Sequence, residues 1–366
     1  MSEKDIISIA NQFKIQESIE DFHTITTGHI NDSYLIRTNG DSPGYFLQWV
    51  NSYIFKDVEG LMQNIETVTR HIADKVNKGN RDGFRVLELV PSLEGKSYYK
   101  DSNGEFWRMY LNIPDTHVYD IVENKEIAFQ GGKAFGRFVS DLADLPSHKL
   151  TETIPNFHNM ETRILNFLTS VKKDPFGRRK EVSAEIDFVD ERSEEMLRIP
   201  EWIKEGKIPM RITHNDTKFN NILFNEENKA ICIVDLDTVM PGSVLFDFGD
   251  AIRTTANTAC EDERDLSKVD LNLPIFEAYA KGFISTTYHS LTSEEINLLA
   301  FSARYMTFII GLRFLTDYID GDPYFRTSYP THNLDRARVQ FRLIEAMERN
   351  SLAMEKIIKD ACLSLR

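Results

Sequence analysis

Cysteine is scarce in this sequence: Cys232, Cys260 and Cys362 are the whole complement. They are odd in number, widely spaced and contain no CxxC pair, which excludes a disulfide framework and a zinc-knuckle pattern and points to a reducing compartment, the cytoplasm. Basic residues are also in deficit. With 43 Lys and Arg against 57 Asp and Glu, the net charge of −14 argues against a nucleic-acid partner, because phosphate backbones are bound by clustered cations. Local phosphate binding through metal ions and backbone N–H groups remains compatible with that balance. The opening stretch MSEKDIISIANQFKI lacks a basic segment followed by an apolar core, so no signal peptide is expected. Only LLAFSARYMTFIIGLRFL approaches membrane length, and Arg304 and Arg313 interrupt it, so it reads as a buried helix rather than a membrane span. There is no low-complexity segment and no internal repeat.

What is present suggests two parts. A chain of 366 residues more readily divides into two domains than builds one core. From His23 to about Asn51, and again in FRVLELVPS and EFWRMYLNI, aromatic and β-branched runs separated by turns read as strands. Between them Val58, Leu61, Ile65, Val68, Ile72 and Val76 recur every three or four residues, the spacing of one amphipathic helix. After Pro114 the patterns become helical: KEIAFQGGKAFGRFVSDLADL, NMETRILNFLTSVKK, Thr292 to Ile319, and Leu334 to the end. The fold class expected is therefore α+β, a small sheet-rich part joined near Leu111–Asp115 to a larger, mostly helical part. One β-type island interrupts the helices: NNILFNEENKAICIVDLD, a hairpin across NEENK.

The chemistry-bearing residues cluster at one end of that island. Asp216 and Asn221 precede it and Asp235 follows it. These are hard oxygen donors suited to Mg²⁺, which binds few protein ligands and keeps room for phosphates. A carboxylate left off the metal can orient a hydroxyl and accept its proton. Asp and Asn are common in turns, so this spacing alone is a weak signal. Two acidic residues ending the apolar run IVDLD strengthen it, since burying them is costly without purpose.

THNDTKFNNILF followed by ICIVDLDT resembles the catalytic segment of the aminoglycoside phosphotransferase and choline kinase superfamily, which has a bilobal protein-kinase-like fold. TTGHINDSYLI, FLQWVNSYIFKDVEGLMQNI, WRMYLNIPDTHVYD, DLDTVMPGSVLFDFGDAIRT and FLTDYIDGDPYF look more closely like N-acetylhexosamine 1-kinases. The resemblance implies an N-terminal nucleotide-binding lobe over 1–112, an antiparallel sheet with one main helix. A C-terminal catalytic and substrate-binding lobe would occupy 113–366. ATP and Mg²⁺ are the implied cofactors, and a small-molecule sugar the partner.

Roles then carry over position by position. Asp216 would be the catalytic aspartate, and Asn221 and Asp235 the metal ligands. Lys218 would contact the transferred phosphate or simply be solvated. His214 and Asp247 would be structural supports, Asp247 accepting backbone N–H groups of the catalytic loop. The string DFGD at Asp247–Asp250 copies a kinase metal motif, but it lies 31 residues beyond Asp216, whereas Asp235 follows the hairpin directly. Gly28 and His29 would lie over the phosphates. Met109, Tyr110 and Asn112 would receive the nucleotide base. Gln48 stands where kinases carry a phosphate-binding lysine, so no lysine–glutamate pair is assigned to Glu66. For the acceptor, the resemblance favours Asn31, Asp32, Asp237, Arg313, Asp317 and Tyr324. Spacing alone reads Arg313 and Asp317 as an ordinary i,i+4 ion pair. A homoserine, choline or aminoglycoside type of hydroxyl kinase, or a non-catalytic pseudokinase binding module, remains open as an alternative.

Overall fold

The computed structural model describes residues 3–25, 31–79 and 83–365. Gly28 and His29, expected over the phosphates, lie outside the described residues. The chain divides into two compact units, one comprising Met1–Val118, Asp144–Pro155 and Ile222–Pro241, the other Tyr119–Ala143, Asn156–Asn221 and Gly242–Arg366.

The first unit contains α1 (Glu3–Ala10), β1 (Ile19–Ile25), β2 (Ser33–Thr38), β3 (Tyr45–Val50), α2 (Val58–Lys78), β4 (Tyr99–Lys100) and β5 (Phe106–Leu111). The strands form an antiparallel sheet in the order β1-β2-β3-β5-β4. Alternation along each strand sorts the faces. Leu47, Trp107, Met109 and Ile36 join Ile6, Ile9 and Phe13 in one buried cluster. The opposite face receives Gln48 and Arg108, and the register sets Ser33 beside Gln48 and Gln48 beside Arg108. A row of polar side chains therefore crosses three strands.

The run FRVLELVPS was expected to be a strand. It forms no regular strand, although it pairs locally with β5: Val90 N–H donates to Met109 O at 2.8 Å, and Leu111 N–H to Glu88 O at 2.9 Å. Pro91 lacks the N–H needed to extend that pairing. α2 begins where Asp57 accepts from Gly60 N at 2.9 Å, and its apolar stripe, from Val58 to Ile72, is buried. The hairpin follows the expected pattern: β7 (Ile222–Phe224) pairs with β8 (Ala230–Ile233), Ile222 opposite Ile233.

The second unit is mainly helical: α3 (Lys125–Asp141), α4 (Met160–Lys173), α5 (Ser183–Met196), α6 (Arg198–Lys204), α7 (Val244–Thr255), α8 (Leu273–Thr287), α9 (Ser293–Ile319), α10 (His332–Arg349) and α11 (Ser351–Leu363). The strand β6 (Arg211–Thr213) leads into the loop that carries Asp216, and β9 (Met240–Gly242) leads into α7. Among the described residues α9 alone is long and apolar enough to cross a membrane, and 83% of its apolar window is packed inside the protein. A capping box at Thr292 and Glu295 starts it. Glu295 also takes a fork from Arg211, at 2.6 and 2.7 Å, which fixes the start of β6.

Candidate active site

In the second unit, the loop from His214 to Asn221 is fastened from beneath by two aspartates of α7. Asp247, wholly buried, accepts from His214 N at 2.9 Å and from Asn215 N at 2.7 Å. Asp250 accepts from Thr217 N at 3.2 Å and from Arg253 Nε at 2.9 Å, while Arg253 also reaches Glu261 at 3.2 Å. The string DFGD is thus one helix turn whose two carboxylates grip a loop. Asn215 is left-handed, φ 63°, a conformation that persists where the surroundings over-determine it. Its side chain bonds Thr213 Oγ1 at 3.0 Å, and its carbonyl accepts from His158 Nε2 at 2.9 Å. Gly242 permits this packing: a Cβ there would stand 2.1 Å from Thr213 Oγ1.

Burial pushes the His158 imidazole down to about 4, so it is neutral, donating through Nε2. Burial likewise pushes Asp247 up to about 6, against the pull of His214 and of the two backbone N–H groups. The His214 ring is fully buried, edge-on to Phe135 and Phe138, and Nδ1 accepts from Asp216 N at 3.3 Å.

Asp216 follows in the same loop and is half-buried. Burial raises its carboxyl, but Lys218, His214 and Arg253 outweigh that and hold it below the usual carboxylate value. Lys218 Nζ lies 3.2 Å from Asp216 Oδ1 and is half exposed. Asn221 Nδ2 donates to Asp216 O at 2.8 Å and Oδ2 at 3.3 Å, which turns the amide oxygen of Asn221 away from Asp216.

Farther along the second unit, Arg313 lies over three rings, with its guanidinium carbon 5.5 Å from the Phe157 centroid, 5.6 Å from Tyr324 and 5.3 Å from Phe325. Asp317 makes no pair with it. Asp317 is buried and accepts from Tyr324 N at 2.9 Å, Phe325 N at 3.0 Å and Asn333 Nδ2 at 2.9 Å, so it shapes the turn that presents Tyr324. Tyr324 itself is exposed.

In the first unit, Asp235 follows β8 in a left-handed conformation, φ 59°. Asp237, two residues on, is almost wholly buried. One carboxylate oxygen takes the Arg108 Nη1 hydrogen bond, and the other accepts from Asn31 Nδ2 at 2.6 Å. Gln48 is equally engaged: Oε1 accepts from Arg108 Nε at 3.0 Å and Nη2 at 2.8 Å, and Nε2 donates to Ser33 Oγ at 3.0 Å. Asn31 Oδ1 accepts from Asn51 N at 3.1 Å, and Asp32 is exposed. Met109 points into the α1-side cluster, whereas the Tyr110 ring lies 5.4 Å from the Arg108 guanidinium carbon. Asn112 is tied to the turn before β3, through Pro43 O at 2.9 Å and Gly44 O at 3.0 Å.

Sequence reasoning missed Asn64, Arg108, His158, Asp250 and Arg253. The literal pairing of Asp250 with Arg253 one turn apart was a usable signal. The others are long-range partners that no local pattern reveals.

A clamped loop carrying an ionised aspartate and an adjacent asparagine, in a chain with a five-stranded antiparallel sheet and a larger helical unit, defines the protein-kinase-like class of phosphotransferases. The model of the phosphotransferase enzyme family matches residues 21–281, and the chain belongs to that family. Solved structures with the same fold include a spectinomycin phosphotransferase in complex with ADP and spectinomycin, 12% identical, with a TM-score of 0.60 over 95% of this chain and 99% of that one. A choline kinase from Cryptosporidium parvum is 13% identical, with a TM-score of 0.57 over 96% and 97%. An ethanolamine kinase of Plasmodium vivax is 14% identical, with a TM-score of 0.55 over 88% and 82%.

Proposed function

We propose that the protein transfers the γ-phosphoryl group of ATP to the anomeric hydroxyl of an N-acetylhexosamine such as N-acetylglucosamine or N-acetylgalactosamine. The observation that supports phosphoryl transfer is the Asp216 loop, fixed by Asp247 and Asp250 with Asn221 bonded back onto Asp216.

Asp216 faces the acceptor hydroxyl. A carboxylate held below its ordinary pKa is a weak base, so it mainly orients the hydroxyl and takes the proton late. That suits a loose transition state in which positioning does most of the work. The acceptor O–H bond breaks, its oxygen bonds to the γ-phosphorus, and the bridging oxygen leaves on ADP. Lys218, beside Asp216, offers a positive charge toward the moving phosphoryl group.

By the sequence resemblance Asp235 and Asn221 would hold Mg²⁺; a carboxylate and an amide oxygen are each hard donors of the kind that ion takes. The chemistry such an ion would supply is neutralisation of phosphate charge.

The acceptor assignment draws on the sequence resemblance and on Arg313. A guanidinium beside Phe157, Tyr324 and Phe325 offers N–H donors to sugar and acyl oxygens and rings to an apolar sugar face. Arg163, which burial and then the neighbouring Arg313 push down to about 10, adds positive field there, which disfavours the cationic acceptors of choline or aminoglycoside kinases. Asp317 and Asp237, with both carboxylate oxygens engaged, are assigned to holding loops rather than to touching the sugar. A coupled ADP-release assay across free sugars, amino-alcohols and aminoglycosides tests this. Turnover confined to N-acetylhexosamines is expected, and a preference for a cationic acceptor would overturn it.

A further inference from the structure

The positive charge missing from β3 reappears on β5. Arg108 is 1% exposed and is gripped by a fork on Gln48 and by the Asp237 carboxylate. In kinases the strand cation pairs with a glutamate of the following helix. Here its partner lies in the turn just past Asp235. That turn is held at three points besides. Asn31 takes the second Asp237 oxygen, Thr153 Oγ1 donates to Asp237 O at 3.1 Å, and Asn64 of α2 donates to Val239 O at 3.0 Å. Stability alone is a poor explanation for the ion pair, because replacing buried pairs by neutral groups of similar size is often harmless. The pair is local to this turn: it holds the side chain of residue 237, two residues after Asp235, whose left-handed backbone is disfavoured unless its surroundings enforce it.

We propose that Arg108 is a positioning residue for phosphoryl transfer: resting on Gln48, it holds Asp237 and thereby sets the angle at which Asp235 meets the metal. The proposal rests on the reading of Asp235 as a metal ligand. Arg108 touches neither metal nor acceptor in this scheme. It acts through the turn, and a lysine, lacking the planar fork, cannot replace it.

The test is calorimetric titration of the full-length protein with the non-hydrolysable nucleotide AMP-PNP over a range of Mg²⁺ concentrations, without acceptor. Arg108→Met combined with Asp237→Asn removes both charges and leaves neither orphaned. The double variant should unfold at a urea concentration near wild type, yet need at least tenfold more Mg²⁺ for half-maximal nucleotide affinity, with metal-free ADP binding changed less than threefold. Arg108→Lys should show the same Mg²⁺ shift, and it carries the test alone if the double variant does not fold. Asp235→Ala is run alongside. If Asp235→Ala shifts the Mg²⁺ requirement and the Arg108 variants leave it within twofold of wild type, the proposal is overturned while the metal assignment stands. If Asp235→Ala itself shifts nothing, the metal assignment fails and the proposal fails with it.

Discussion

Asp247→Ala removes the acceptor for two buried N–H groups, those of His214 and Asn215. An orphaned buried donor costs about 1–3 kcal/mol, so the two together lose about 2–6 kcal/mol. An opposing effect acts at neutral pH. The Asp247 carboxyl titrates at about 6 in the folded protein. Against an unfolded value of about 3.9, keeping it ionised at pH 7 costs about 3 kcal/mol, which the substitution relieves. The net loss at pH 7 is therefore modest. The sign with pH follows from the raised value. Stability from this group is fully present below about pH 4, where both states are protonated, and is lost as pH rises through about 6. Between pH 7 and pH 5 the wild type regains about 1 kcal/mol that the variant cannot. Urea unfolding of both proteins at the two pH values measures the difference, in which all other titrating groups largely cancel. The penalty for Asp247→Ala should be greater at pH 5 than at pH 7. A penalty that stays constant or shrinks on acidification would refute the assignment of a buried, proton-accepting loop clamp. Turnover should fall far more than stability at pH 7, because the loop that aims Asp216 loses its anchor.

Three other outcomes are expected. Asp216→Asn keeps the shape and loses the proton acceptor, so kcat should fall by about 10²–10⁴-fold with ADP affinity within about threefold; near-normal turnover would remove Asp216 from its role. Arg313→Met should raise the acceptor KM at least about tenfold and leave the ATP KM unchanged, as expected for a group that binds only the acceptor; equal effects on both would argue against an acceptor contact. In Gly132→Ala the new Cβ would stand 2.1 Å from Tyr279 O, where α3 crosses α8. Separating those helices should cost about 1–3 kcal/mol in urea unfolding, and an unchanged midpoint would mean the crossing is looser than described.

Much of the fold could be read directly from the residues. The three- and four-residue spacing from Val58 to Val76 marked α2, and the hairpin across NEENK appeared as β7 and β8. α1 did not stand out, since eight residues give barely two turns of periodicity. FRVLELVPS has strand composition but stops at Pro91, and composition does not report missing pairing. Short spacings made Asp216, Asn221 and Asp235 visible as candidates. Their supports were hidden because Arg108 and Asp237 are 129 positions apart, and His158 meets Asn215 across 57. Asp317 shows the limit of helical spacing: four residues from Arg313, it turns instead to the backbone of Tyr324 and Phe325.

The decisive measurement is phosphorus NMR of the product formed from ATP, Mg²⁺ and N-acetylglucosamine or N-acetylgalactosamine, with wild type and Asp216→Asn compared at equal times. A sugar phosphate whose phosphorus couples to the anomeric proton, formed by the wild type and essentially not by the variant, is the predicted result. Phosphate on another hydroxyl, or ADP accumulating with no phosphorylated sugar, would contradict the account.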